Sequence, residues 1–201
     1  MPTRQCQFHV IGCQYVGAGT DLKYHLGQCS FDEKNKKIKC QHISCKKQVR
    51  IREMVQHLRD VHKSPEKKAD SSGKIMSVAR FAKTVNVNKT NWSPQICSYN
   101  NETFFLHAEL YERVWTFWVS ILGNEDEAKR YEVELSIPKK VGHKFSMGYR
   151  GKVFCIDENI GCVVRDRDNV LSLGNNMAEV KTSDIGEDGY RFSIDYKISC
   201  K

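Results

Sequence analysis

The sequence lacks the features that mark secreted, membrane-spanning and self-sufficient catalytic chains. It has no apolar run near the roughly 20 residues that a membrane span needs. Its opening, Met1-Pro2-Thr3-Arg4-Gln5-Cys6, carries no apolar stretch of the kind a signal peptide uses. We therefore expect a cytoplasmic or nuclear protein with no membrane partner. Without a secretory signal, the glycosylation triplets at Asn88, Asn91 and Asn101 are read as accidental. There are no paired carboxylates, no glycine-rich phosphate loop and no nucleophile with a base placed beside it, so no active site of its own is expected. Large aliphatics are scarce in residues 1–62, and such a segment cannot build a sufficient core unaided.

What the chain does have is cysteine, histidine and positive charge, unevenly placed. Nine cysteines in a reducing compartment are not explained by disulfides, and an odd number leaves one unpaired, so metal binding is the first reading. Residues 1–75 hold 15 Lys/Arg against 7 Asp/Glu, whereas residues 76–201 hold 17 against 17. The net charge of +8 therefore belongs to the N-terminal end.

Two ligand patterns follow one another there. The first is Cys6-x6-Cys13-x11-His25-x3-Cys29 and the second is Cys40-x4-Cys45-x11-His57-x4-His62. Each supplies four donors suited to a tetrahedral structural zinc, two Zn(2+) per chain. Two cysteines come from a hairpin, and a helix about a dozen residues later brings the other two ligands from one face or its end. The repetition argues against chance. A site with four protein donors keeps no exchangeable position, so the metal supplies folding free energy rather than catalysis. Each finger is accordingly expected to stand or fall with its own metal. His42 lies between the cysteines of the second pattern and competes for a place in it, whereas His9 is not read as a ligand.

Residues 63–74 are charged and small and read as a linker. Beyond them, runs at 103–110, 113–122, 130–137, 144–156, 161–165 and 190–198 read as strands. In the last, Tyr190, Phe192, Ile194, Tyr196 and Ile198 share one face. Turns of helix are expected near 125–130 and 177–180. The fold class is mainly β: two small zinc fingers (6–29 and 40–62) in residues 1–62, a linker at 63–74 and an antiparallel β-sandwich at 75–201. Cys97, Cys155, Cys162 and Cys200 have no ligand spacing and read as small buried residues. His107 and His143 read as surface or satisfied strand positions.

These residues resemble a known family. Cys6-Gln7-Phe8-His9-Val10-Ile11-Gly12-Cys13, followed by His25-Leu26-Gly27-Gln28-Cys29, resembles the fingers of TRAF-type and seven-in-absentia proteins. Val55-Gln56-His57-Leu58-Arg59-Asp60-Val61-His62 is similar to the end of that family's second finger. The stretch from Phe117-Trp118-Val119-Ser120 through Gly123-Asn124 and Ala128 to Tyr131-Glu132-Val133-Glu134-Leu135 resembles its sandwich signature, and 176–198 fits its last helix and strand. A short linker in place of a coiled coil favours the seven-in-absentia branch.

The resemblance implies a TRAF-like sandwich and a place in an E3 ubiquitin ligase family. It implies a module that binds peptide segments of substrates or adaptors and forms a homodimer through the sandwich. The peptide would dock by strand addition beside 78–92, with Val85, Val87, Thr90 and Trp92 at the groove. The sequence departs from the family in lacking a third Cys/His cluster, the RING. This chain alone is expected to be inactive in ubiquitin transfer: either a RING lies upstream in the natural protein, or the protein is a RING-less relative that acts as adaptor or competitor beside a RING-containing ligase. The alternative is nucleic-acid binding. The spacing Cys-x4-Cys-x11-His-x4-His lies near that of DNA-reading fingers, and Lys46, Lys47, Arg50, Arg52 and Arg59 surround it. The His-x3-Cys ending of the first finger and the neutral remainder of the chain weigh against it.

Overall fold

The computed structural model describes residues 2–42, 44–82, 89–91, 93–111, 114–137, 147–158, 170–174 and 189–201, with backbone alone at 76–82, 89–91, 147, 173–174 and 189–193. The strand expected at 161–165, the helix near 177–180, Cys162 and His143 lie outside the described residues.

Two small units open the chain. In the first, β1 (Arg4–Gln5) pairs antiparallel with β2 (Val16–Gly17), and α1 (Gly19–Leu26) follows. In the second, β3 (Lys37–Lys39) pairs antiparallel with β4 (Gln48–Arg50), and α2 (Met54–His62) follows. An isolated two-stranded ribbon is marginal even at full length, so each of these ribbons needs support from outside its ladder. The helix α2 ends at Lys63, which takes a left-handed conformation (φ 52°) and returns its N–H to the carbonyl of Leu58.

The rest of the described chain is mainly strand. It comprises β5 (Glu66–Lys68), β6 (Lys74–Ala82), β7 (Lys89–Asn91), β8 (Gln95–Tyr99), β9 (Glu102–Tyr111), β10 (Val114–Ile121), α3 (Glu125–Lys129), β11 (Tyr131–Ile137), β12 (Met147–Lys152), β13 (Phe154–Cys155), β14 (Leu171–Gly174) and β15 (Gly189–Cys200). A larger sheet runs β13-β10-β9-β8-β5, with β14 on β10 and β7 on β9; a smaller one runs β12-β11-β15-β6. Their facing sides share one core, in which Phe104, Phe117 and Ile121 meet Leu135, Tyr196 and Ile198. The expected strands at 103–110, 113–122, 130–137 and 190–198 are β9, β10, β11 and β15, and 144–156 divides into β12 and β13. On β15, Ile194, Tyr196 and Ile198 are buried while Lys197 is exposed, as the alternation requires.

The 63–74 segment, expected to be a linker, is not a free tether. Within it β5 pairs in parallel with β8, and the Glu66 carboxylate accepts from Arg59 at 2.5 Å. The next turn is closed by Asp70, whose carboxylate accepts from the amides of Ser72 and Lys74 at 2.8 and 2.9 Å. Composition gave the wrong answer because all three residues of β5 are exposed, and a charged edge strand has the texture of coil.

β9 and β10 are buried on both faces, which a one-sided sheet would not require. Residues 104–110 are buried without a break. Phe104 and Leu106 enter the shared core, and Phe105 points the other way. That outer face is covered in two places. Trp118 lies under Phe154 and Val170, and Phe105 lies under the second finger.

Candidate metal centres

In the first finger the chain turns sharply between Cys6 and Cys13. Gly12 makes this possible, with φ +114° and the Phe31 ring 3.1 Å from where a β-carbon would stand. His25 is the penultimate residue of α1, and Cys29 follows just beyond the helix end. Phe8, Tyr15, Leu22 and Leu26 pack around the buried cysteines. The Tyr15 ring stacks on the His25 imidazole, with centroids 3.9 Å apart and planes 5° from parallel. This fixes the plane in which His25 presents its Nε2 atom.

In the second finger α2 works on two sides. It carries His57 as its fourth residue and His62 as its last, and Met54 and Leu58, one turn apart, are fully buried. These two join Ile38, Val49 and Ile51 in an apolar cluster that also contains Ile96, Phe105 and Ile156 of the two-sheet domain. The buried Gln41 side chain donates to the Ile156 carbonyl at 3.0 Å, and Lys36 reaches Asp157 at 2.6 Å. The second finger is therefore built into the larger sheet's outer face.

Both four-donor sets come together. The donor atoms of Cys6, Cys13, His25 and Cys29 lie within 4.8 Å of one another, as do those of Cys40, Cys45, His57 and His62. A tetrahedral ion with metal–sulfur bonds of about 2.3 Å and metal–nitrogen bonds of about 2.0–2.1 Å implies edges of about 3.8 Å between sulfurs and about 3.6 Å from sulfur to nitrogen. The first set has Cys6–Cys29 at 3.9 Å, Cys13–Cys29 at 3.6 Å and Cys13 Sγ to His25 Nε2 at 3.3 Å. In the second, Cys40 Sγ to His62 Nε2 and Cys45 Sγ to His57 Nε2 are both 3.6 Å. Both sets fit a structural metal ion with all four positions filled by protein.

Electrostatics points the same way. Burial pushes the Cys40 thiol up to about 11. The Cys6 thiol is also raised, first by burial and further by Cys13 and Cys29. The Tyr15 backbone holds Cys13 below its ordinary value. Thiolates this close in a buried site repel one another unless they share a cation.

His42 is not part of the second donor set. Its ring stacks on that of His62, with centroids 4.2 Å apart, and its Nδ1 is hydrogen-bonded to Ser44 Oγ at 2.8 Å. Burial lowers its pKa. His9 belongs to the turn between the cysteines and to neither set. Of the residues expected at a peptide groove, Thr90 lies on β7 opposite Leu110, whereas Val85, Val87 and Trp92 lie outside the described residues. Sequence reasoning missed Tyr15 and Gln41; an aromatic two residues after a ligand cysteine was the available sign for Tyr15.

The other cysteines divide. Cys97 is fully buried and bonded to the Tyr196 hydroxyl at 2.8 Å, Cys155 is half-buried, and Cys200, expected inside, is exposed. His107 is a satisfied strand histidine, with Nε2 2.8 Å from Ser120 Oγ and its ring stacked on Trp118. No helix among the described residues is long and apolar enough to cross a membrane. Comparison with protein-family models and with curated proteins finds no match to this chain.

Proposed function

We propose that this chain is the substrate- or adaptor-recognition module of a seven-in-absentia type ubiquitin ligase, with two structural zinc ions and a TRAF-like sandwich. Zinc is the metal of choice for Cys₃His and Cys₂His₂ tetrahedra, because it has no redox chemistry and no competing geometric preference. Cys6, Cys13, His25 and Cys29 hold one ion, and Cys40, Cys45, His57 and His62 hold the other. Zinc supplies folding free energy here; the chain's own part is to bind peptides.

The observation that carries the peptide-binding reading is the place of β6. It ends the smaller sheet, with β15 on one side and no strand on the other among the described residues. A free edge offers main-chain donors and acceptors in a row, and an added peptide strand satisfies them. Val85, Val87, Thr90 and Trp92 follow β6 in the chain and are assigned to the groove. The sandwich also forms the homodimer contact, and ubiquitin transfer requires a RING that these 201 residues do not contain.

Selection of short peptides on the zinc-loaded chain tests this. Extended peptides are expected, and Val85→Lys should weaken them at least tenfold while leaving the melting temperature in place. A Val85→Lys chain that binds as before, or one that no longer folds, would remove the groove assignment. With conjugating enzymes and ubiquitin, the chain alone should build no ubiquitin polymers; robust activity would overturn the dependence on a RING outside these residues.

A further inference from the structure

Between Lys36 and Arg52 the sequence holds seven lysine and arginine residues and no carboxylate. The structure sorts them. Lys36 is joined to Asp157 at 2.6 Å and Arg50 to Glu53 at 2.9 Å; further along, Arg59 is joined to Glu66 at 2.5 Å. Arg52 lies against Gly27 at the C-terminal end of α1, where helix carbonyls favour a cation. That leaves Lys37, Lys39, Lys46 and Lys47, all exposed and without a carboxylate partner among the described residues.

The ribbon arranges these charges. Ile38 and Val49 face each other and are buried beneath it, so Lys37 and Lys39 stand on the outer face, with Gln48 opposite Lys39. Lys46 and Lys47 sit at the closed end. Lys37 lies directly opposite Arg50. Like charges in that position weaken a ribbon, and this one has only three residues per strand. Arg50 is relieved by Glu53; Lys37 has no such relief among the described residues. The ribbon thus tolerates charges that work against its own stability, on a backbone anchored through Ile38 and Val49 to the rest of the protein.

We propose that the outer face of the β3–β4 hairpin binds the phosphate backbone of duplex nucleic acid without reading its sequence. The face has no apolar pocket to grip a peptide side chain, since its apolar residues point inward. It carries no aromatic ring on which an unpaired base would stack. Lysines bind phosphates as point charges, without the bidentate geometry by which arginine fixes one orientation, which suits a contact that does not read sequence. Residues two apart on a strand are about 6.8 Å apart. That spacing suits consecutive phosphates of one strand, which wind around the axis and so stand further apart through space than their rise of about 3.4 Å along it. This surface is independent of the β6 edge.

The test is fluorescence anisotropy of a labelled 20-base-pair DNA of arbitrary sequence, titrated with the zinc-loaded full chain at 25–200 mM salt. Four lysine contacts predict a log–log salt slope of about −3.6. Lys37→Glu with Lys39→Glu should bring the slope to about −1.8 and weaken binding at least tenfold at low salt. Its metal content and circular dichroism should match the parent, because both side chains are exposed. A control that reverses as much charge elsewhere, Lys68→Glu with Lys197→Glu, should keep at least half the affinity. The proposal is overturned by an absence of saturable binding in low salt, or by equal losses in the two double variants. It is also overturned if polyglutamate displaces the duplex at equal charge concentration, which would assign the face to acidic protein segments.

Discussion

The side-chain amide of Gln41 donates to the backbone carbonyl of Ile156 at 3.0 Å, joining the knuckle of the second finger to the two-sheet domain. Around this bond Met54 and Leu58 share an apolar cluster with Phe105 and Ile156. The two fingers therefore differ in what depends on them. The first finger's apolar cluster, Cys6, Cys13 and Cys29 with Phe8, Tyr15, Leu22 and Leu26, contains no residue of the two-sheet domain among the described residues. The second finger is part of the larger sheet's outer layer, so the expectation that each finger stands or falls alone does not extend to it.

His57→Ala should consequently destabilise more than its own finger. Uncovering Phe105 and Ile156 forfeits about 1.5–3 kcal/mol for each large side chain returned to water. At about 2–4 °C per kcal/mol for a chain of this size, the melting temperature of the β-signal should fall by roughly 6 °C or more. Cys13→Ser should release one zinc and shift that transition by less than half as much. Thermal melts followed by circular dichroism, with zinc counted in parallel, check this; equal shifts in the two variants would refute the asymmetry.

Gly73 predicts a severe single-site effect. It sits at φ +77° in the turn between β5 and β6, and an added β-carbon would lie 1.9 Å from the Ile198 carbonyl oxygen. The Gly73 carbonyl also accepts from the Ile198 amide at 3.0 Å. Gly73→Ala meets both an unfavourable backbone conformation and a clash with backbone that cannot rotate away. A loss of about 3 kcal/mol or more is expected in urea unfolding. A variant as stable as the parent would contradict this account.

What the sequence disclosed and what it hid follow from the reach of each interaction. The ligand sets were legible because His25 and Cys29, or His57 and His62, lie within one or two helical turns, so chain spacing nearly fixes spatial spacing. The strand β15 was legible because alternation is local. The docking of Gln41 on Ile156 was not, since 115 residues separate them and neither carries a mark of the other. β8 was missed although its turn held a clue: Asn100 and Asn101 both take left-handed conformations (φ 48° and 63°), the pattern of a tight hairpin. The basic cluster was read as five equal cations, but Arg50 and Arg59 are spent on Glu53 and Glu66, which sequence distance alone did not reveal.

The thiols should separate by reactivity. Cys200 is exposed, whereas burial pushes Cys97 up to about 11, and burial together with Asp157 and Glu158 pushes Cys155 up to about 12. A thiol must ionise to react. Brief treatment of the zinc-loaded chain with iodoacetamide at pH 7.5 should therefore label Cys200 well before Cys97, Cys155 or any of the five ligand cysteines. A chelator added beforehand should open Cys6, Cys13, Cys29, Cys40 and Cys45 to labelling. Peptide mapping by mass spectrometry reads the order. Rapid labelling of ligand cysteines without chelator would count against metal binding.

His107 predicts how stability depends on pH. Burial lowers its pKa to about 3, and the only hydrogen bond described for its Nε2 is to Ser120 Oγ at 2.8 Å. In the unfolded chain the same imidazole titrates near 6.5. A folded pKa below the unfolded one favours the neutral form, so the contribution is complete above about pH 6.5. As pH falls below that value the unfolded chain binds a proton that the folded one refuses, and stability declines by up to about 1.4 kcal/mol per pH unit until about pH 3. The loss between pH 6.5 and 5 should be about 1.6 kcal/mol. Carboxylate pairs such as Glu66 with Arg59 contribute below this range, because their unfolded pKa lies near 4.3. Acid release of zinc affects parent and variant alike. His107→Phe with Ser120→Ala removes the imidazole and the hydroxyl it would orphan, and keeps a ring against Trp118. Urea unfolding of both proteins at pH 7, 6 and 5 should then give a difference in stability that shrinks toward acid, by about 1.4 kcal/mol per unit at most. A difference that is constant over this range would mean that His107 takes up its proton at the same pH in the folded and the unfolded chain.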